Sequence, residues 1–168
     1  ARSLPGLSLG VHAAGEWGSD DTALERCRAD IAQGDIVIVT MLFMEDHFLP
    51  VLPALKARRE QCDAMVCAMS AAEVMSLTRM GKFSMDKPAS GALALIKRLR
   101  GKGSTQDNKT GTTAGAQQMK MLRRLPKILR FVPGTAQDVR AYFLTLQYWL
   151  AGSQQNIGNL VHMLVQRY

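Results

Sequence analysis

The sequence predicts an α/β fold, in which an open parallel sheet of about three strands is followed by an all-helical segment. Over the first hundred residues, short apolar runs typical of strands alternate with stretches whose apolar residues recur at helical spacing. Strands and helices in such alternation require right-handed crossovers and a parallel sheet, as in flavodoxin-like and Rossmann-like folds. Beyond this part of the chain, the apolar spacing is helical up to the last residue.

The first strand–helix–strand unit is predicted from a change of hydrophobic period. Residues Leu7–Ala13 alternate apolar and small or polar side chains, as a half-buried strand does. Asp20 or Asp21 can cap a helix that closes at Gly34. The continuous β-branched and apolar run Asp35–Leu42 then suits a parallel strand that is covered on both faces.

The alternation continues for one further round. A helix is predicted from Glu45 to Glu60, and the short apolar run Ala64–Met69 is predicted to be the third strand. Ser70 and Glu73 have the spacing of a capping box, which predicts a helix that ends at Gly81. Because three strands make a thin sheet, we expect other sequence to supply one of its edges.

The charge distribution divides the chain into three parts. The chain carries a net charge of +7, but residues Lys97–Arg130 alone hold ten Lys or Arg and a single acid, so the remaining residues carry −2. We predict an α/β domain over residues 1–100, a mobile basic Gly/Thr-rich loop over 101–118, and a helical segment over 119–168. Two helices are predicted in the last part, one that starts at Gly134-Thr135 and one that follows Gly152-Ser153. Both are apolar enough that we expect them to need cover from a further domain.

Composition restricts the class of protein. No apolar stretch reaches the roughly 18 residues of a membrane span, and no signal peptide precedes Leu7, so we expect a soluble, cytoplasmic protein. The three cysteines match no common zinc spacing and are expected to be reduced thiols. No P-loop or dinucleotide fingerprint is present. The basic segment lacks the aromatic side chains on which bases stack, so we predict no nucleic-acid partner.

A group of polar residues is predicted to lie at the ends of two strands. Glu45, Asp46 and His47 follow the second predicted strand, while His12 and Glu16 emerge at the end of the first. Open α/β sheets bind ligands at the carboxyl ends of their strands, so these side chains are candidate metal ligands or an acid–base pair. The alternative is that the two acids occupy the first turn of a helix, where negative charge suits the helix dipole.

Three stretches together carry a resemblance to a known family. They are Asp35–Asp46, Ala72–Met85 and Leu144–Ser153. The more specific parts are Glu-Val-Met followed by Gly-Lys-Phe-Ser-Met in the second stretch, and Gln-Tyr-Trp-Leu-Ala-Gly-Ser in the third. The chain resembles, over nearly its whole length and in order, the N-terminal region of the magnesium chelatase H subunit, a relative of the cobaltochelatase large subunit.

The resemblance implies a fragment of a large enzyme. The family inserts Mg²⁺ into protoporphyrin IX in chlorophyll or bacteriochlorophyll synthesis, with the porphyrin on the H subunit and ATP hydrolysed by two AAA+ partner subunits. It implies that the first strand–helix unit of the family precedes Leu7, and that the metal chemistry lies further along the subunit. No catalytic or cofactor-binding residue is therefore assigned here. The family commonly has a second Glu where this chain has Asp46 and His47, so the resemblance gives no support to a shared site at these residues.

Three functions thus remain open from the sequence, and the least favoured of them is a nucleic-acid-binding protein that uses the basic loop. In the first, the chain is a non-catalytic part of the chelatase H subunit, in contact with the remainder of that subunit and with its partner subunits. In the second, it is a stand-alone flavodoxin-like module that binds a ligand or a metal ion through His12, Glu16, Glu45 and His47.

Overall fold

The computed structural model describes residues 4–86 and 134–168. Four strands in the first range form one mixed sheet: β1 (Ile36–Thr40), β2 (Ala64–Ala68), β3 (Arg79–Met80) and β4 (Phe83–Ser84). Strands β1 and β2 are parallel, whereas β3 and β4 continue the sheet antiparallel, in the order β1-β2-β3-β4. The predicted α/β class and the parallel pair are confirmed. The third and fourth strands were not predicted.

The hydrophobic core forms around the parallel pair. All five residues of β2 are buried, because it has a strand on each side and apolar cover on its faces. Val37 and Val39 of β1 are buried opposite Met65 and Cys67 of β2. The β-branched side chains of β1 suit this pleated, covered surface, as the sequence pattern predicted.

Four helices complete the described part of the α/β unit. They are α1 (Asp21–Gln33), α2 (Glu45–Phe48), α3 (Leu52–Arg58) and α4 (Ala72–Met75). Helix α1 begins as predicted, since Asp20 Oδ1 accepts a 2.9 Å hydrogen bond from the Thr22 backbone N–H. The Thr22 hydroxyl also donates to this carboxylate, and these bonds lower the pKa of Asp20.

The single helix predicted from Glu45 to Glu60 is wrong, because the chain forms α2 and α3 with a turn between them. Pro50 lies in the turn, and Pro53 occupies the first turn of α3. A proline ring has no N–H to donate and collides with the carbonyl four residues earlier in a helix, so a continuous helix cannot pass through Pro53. In the first turn of α3 neither restriction applies.

The N-terminal strand predicted at Leu7–Ala13 is also wrong. This segment has no regular secondary structure and pairs with no strand among the described residues, so it lacks the ladder that a strand requires. Leu9 and Val11 are 58% and 83% exposed. The segment is held elsewhere: His12 Nε2 and Asp30 Oδ2 of α1 lie 2.7 Å apart, and a Cβ at Gly10 would overlap the same carboxylate.

Residues 70–84 differ from the predicted capped helix. The Ser70 hydroxyl does not cap α4, because Ser70 Oγ accepts from the Leu42 N–H and donates to a strand carbonyl. Thr78 is fully buried, and its hydroxyl donates to Cys67 O and accepts from Cys67 N–H. These two hydrogen bonds hold Thr78 against β2, so the helix ends before this residue. Gly81 then turns the β3–β4 hairpin at a φ of +56°, where glycine is favoured.

Two arginines attach this hairpin to the end of α3. Arg59 Nε donates to Leu77 O at 3.1 Å, and its Nη2 lies 2.8 Å from Ser84 Oγ and 2.9 Å from Asp86 Oδ2. Arg79 Nε donates in turn to Arg59 O at 2.8 Å. The hydrogen bond from Ser84 and the nearby guanidinium lower the pKa of the Asp86 carboxyl.

Residues 134–168 contain two helices, α5 (Thr135–Ala151) and α6 (Gln154–Arg167), as the sequence predicted. Gly152 separates them with a left-handed cap at a φ of +66°. Leu160 and Leu164 of α6 are fully buried, whereas Leu150 of α5 is half exposed. The expectation that these helices need cover from a further domain stays a prediction. The predicted loop over 101–118 and residues 119–133 of the predicted helical segment lie outside the described residues.

Leu55 provides a test of the core. Leu55 is completely buried in α3, so Leu55→Ala should lower the free energy of unfolding by about 2–5 kcal/mol, because it removes apolar contacts and leaves a cavity. The matched control Leu49→Ala, at a half-exposed leucine, should change it by less than about 0.5 kcal/mol. Urea unfolding of both variants measures the difference, and equal losses would contradict the assignment of the core.

Candidate functional site at the carboxyl ends of the parallel strands

The loops that follow β1 and β2 are tied directly to each other. Met41 N–H donates to Met69 O at 3.0 Å, and Ala71 N–H donates to Leu42 O at 2.8 Å. Ser70 Oγ adds a third link by accepting from Leu42 N–H at 3.1 Å. These bonds hold the two loops together as one surface. The surface lies at the carboxyl ends of the parallel strands, where open α/β folds bind ligands.

Two methionines in this surface have left-handed backbone conformations. Met41 has a φ of +62° and Met69 a φ of +46°. They are the non-glycine residues with positive φ among the described part of the chain. A side chain with a Cβ costs about 1 kcal/mol or more in this region, so the cross-loop hydrogen bonds must hold both residues there.

We define the strand-end surface as residues 41–49 and 69–73. Its more exposed apolar side chains are each at least half exposed: Met41, Phe43, Met44 and Leu49. Three exposed carboxylates lie beside them: Glu45, Asp46 and Glu73. Neither range contains a Lys or Arg, so the surface combines apolar side chains with negative charge.

The structure places the four candidate metal ligands at three different places in the fold. His12 contacts Asp30 on α1, and Glu16 lies exposed in the 3₁₀ helix Ala14–Glu16. Glu45 is exposed and His47 half-buried on α2. The described residues contain no group of three or more His, Cys, Asp or Glu side chains that could hold a metal ion. A metal site built from these four residues stays a prediction.

The alternative role of Glu45 and Asp46 agrees with their position. Both lie in the first turn of α2, whose cap, Met44, makes no side-chain hydrogen bond to the helix. Negative charge here compensates the unpaired N–H groups of a helix start.

Two buried polar atoms that sequence reasoning missed lack a hydrogen-bond partner within the described chain. They are Thr40 Oγ1, at the last residue of β1, and Trp17 Nε1, directly after the 3₁₀ helix. No pattern in the sequence distinguishes them, because Thr is common in strands and Trp is common in cores.

The three cysteines are buried and unpaired by disulfides, as expected. Burial raises the pKa of the Cys27 and Cys62 thiols, and it raises the pKa of Cys67 to about 12. A thiol must ionise to act as a nucleophile or to bind zinc, so the burial of all three opposes both roles. The described helices also include none that is long and apolar enough to cross a membrane.

Comparison with known proteins identifies the family. The profile of a family described as "Domain of unknown function (DUF3479)" matches residues 1–143 of the chain. The chain belongs to this family. The matched range includes the whole sheet and the strand-end surface.

Several relatives of this DUF3479 chain are named as magnesium-chelatase H subunits. Over 167 residues it is 48% identical to the H subunit of Cereibacter sphaeroides, and the match covers 99% of this chain and 14% of that protein. It is 43% identical to the H subunit of Rhodobacter capsulatus, with 98% and 14% covered. It is 33% identical to the chloroplastic ChlH protein of Oryza sativa subsp. indica, with 89% and 10% covered. The predicted resemblance is confirmed, and the chain spans about one seventh of the length of these bacterial relatives.

Cys67 provides a test of thiol burial. With a pKa of about 12 in the folded chain against 9.0 for a free thiol, Cys67 should react with iodoacetamide at pH 8.5 at least about tenfold more slowly in native buffer than in urea. Mass spectrometry of the Cys67 peptide measures both rates. The thiol favours the folded state at neutral pH, and this contribution is lost as the pH rises from 9 towards 12. The urea midpoint should therefore fall over that range less steeply in Cys67→Ala than in the parent chain.

Proposed function

We propose that this chain is the N-terminal part of the H subunit of a magnesium chelatase, the subunit that handles the porphyrin during insertion of Mg²⁺ into protoporphyrin IX. The observation that carries the proposal is the 48% identity, over 99% of the chain, to one seventh of a protein named as a magnesium-chelatase H subunit. An alignment of this length and identity supports descent from the same domain in the same subunit.

Within that subunit, we assign this part a structural and partner-contacting role. Its described residues offer buried thiols with raised pKa values, no metal-ligating cluster, and carboxylates on the surface. The role that we propose for this domain is to shape or close over the porphyrin-bearing body. We retain the proposed division into residues 1–100, 101–118 and 119–168, with the last part leading into the rest of the subunit.

The proposal assigns the reaction's components to other parts of the enzyme. Mg²⁺ and protoporphyrin IX are substrates of the whole subunit, and ATP is hydrolysed on two partner subunits. The product belongs to chlorophyll or bacteriochlorophyll synthesis. The two relatives at 43% and 48% identity are bacterial, which supports a cytoplasmic location for this chain.

Porphyrin binding tests the proposal. The intact polypeptide that contains this chain should quench the fluorescence of deuteroporphyrin IX saturably, and should form the magnesium porphyrin when Mg²⁺, ATP and the two ATPase subunits are added. The 168-residue chain alone should give no saturable quenching, because the porphyrin site is assigned to the rest of the subunit. An intact polypeptide that neither binds nor metallates the porphyrin would refute the assignment.

A variant separates this function from a metal-binding module. His47→Ala in the intact polypeptide should leave the rate of metallation within about twofold, because the proposal gives His47 no contact with Mg²⁺. Calorimetry of the chain with Mg²⁺, Zn²⁺ and Mn²⁺ then tests whether the chain itself binds a metal ion. The control variant is Glu25→Gln, on the outer face of α1. A saturable heat that His47→Ala abolishes and Glu25→Gln retains would favour the module instead.

A further inference from the structure

The strand-end surface exposes more apolar area than a loop between buried elements requires. Met41, Phe43 and Met44 follow one another closely, and each is between 54% and 57% exposed. Single exposed apolar residues are ordinary, but a contiguous group marks an interaction surface. Methionine side chains are flexible and polarisable, and they adapt to the shape of a partner.

The position of this group is held by backbone interactions rather than by burial of its side chains. The left-handed conformation of Met41 directs the chain out of β1, and its N–H is fixed by Met69 O at 3.0 Å. The loop is therefore presented in one conformation before any partner arrives. A surface ordered in advance loses less conformational entropy when it binds.

The charge of the surface selects among partners. Glu45, Asp46 and Glu73 are exposed beside the apolar group, and residues 41–49 and 69–73 contain no Lys or Arg. A second copy docked through the same surface would bring these carboxylates together, because a two-fold interface places each patch against itself. An anionic lipid surface is repelled for the same reason. The complementary partner is an apolar segment flanked by Lys or Arg.

We propose that the strand-end surface is the docking site for a basic, amphipathic segment supplied by the remainder of the same, longer polypeptide. This inference rests on the proposed function, since the chain spans 14% of each bacterial relative and most of such a subunit lies outside it. A permanent neighbour within one polypeptide accounts for an apolar group that stays exposed in the described residues. The contact would join this domain to the body of the subunit through Phe43 and the three carboxylates.

Photo-crosslinking identifies the occupant. The intact polypeptide carrying p-benzoylphenylalanine in place of Phe43 should form, on illumination, a crosslink within the same chain to a peptide beyond Tyr168 that contains Lys or Arg. The same label in place of Ala32, exposed on the outer side of α1, is the control and should give no such peptide. A crosslink from position 43 to a second copy or to a partner subunit would overturn the proposal.

The rate of methionine oxidation measures directly whether a docked segment covers the strand-end surface. In dilute hydrogen peroxide, Met41 and Met44 should oxidise about tenfold more slowly in the intact polypeptide than in the 168-residue chain, because oxidation follows exposure. The buried Met65 and Met80 should stay protected in both, which verifies folding. Glu45→Gln with Asp46→Asn should restore faster oxidation of Met41, while Glu25→Gln should not. If an intact polypeptide that metallates porphyrin oxidises Met41 as fast as the short chain does, the docking site is refuted and the proposed function stands.

Discussion

The complete burial of β2, from Ala64 to Ala68, imposes conditions on everything around it. Its main-chain groups must find partners on both edges, and its faces must be covered, because an unpaired buried amide costs about as much as a lost hydrogen bond. Strand β1 meets the first condition on one side and the β3–β4 hairpin on the other. The fully buried hydroxyl of Thr78 adds bonds to Cys67 where the hairpin begins. The order of the sheet therefore follows from one strand that cannot face water.

The sequence predicted the parts of this fold that depend on local pattern. The continuous apolar runs predicted β1 and β2, and Asp20 and Gly34 predicted the limits of α1. The hairpin at residues 79–84 was missed because its strands have two residues each, which is too short for any periodicity, and its formation depends on pairing with a distant strand. The alternation of Leu7–Ala13 was misleading for a related reason, since a strand pattern forms a strand only where a neighbour supplies hydrogen bonds.

The candidate site was predictable in position but not in geometry. The rule that ligands and partners approach the carboxyl ends of parallel strands led to Glu45, Asp46 and His47 directly from the sequence. The positive φ of Met41 and Met69 carried no signal, because methionine rarely adopts this conformation and nothing in its neighbours requires it. The contact between His12 and Asp30 could not be predicted either. It joins an irregular segment to α1, and no sequence pattern relates the two residues. Contacts between distant parts of a chain determine such details.

The two arginines that attach the β3–β4 hairpin to the end of α3 have a mechanical consequence. Asp86 is the last residue of the first described range, and its carboxylate is 2.9 Å from the guanidinium of Arg59, which also bonds to Leu77 and Ser84. A force applied to the chain at this point would act on these guanidinium contacts as well as on the ladder between β2 and β3. Lysine could not replace either arginine, because one ammonium cannot reach several acceptors in a plane at once. Under tension from the following chain, these contacts would oppose the separation of the β3–β4 hairpin from the end of α3.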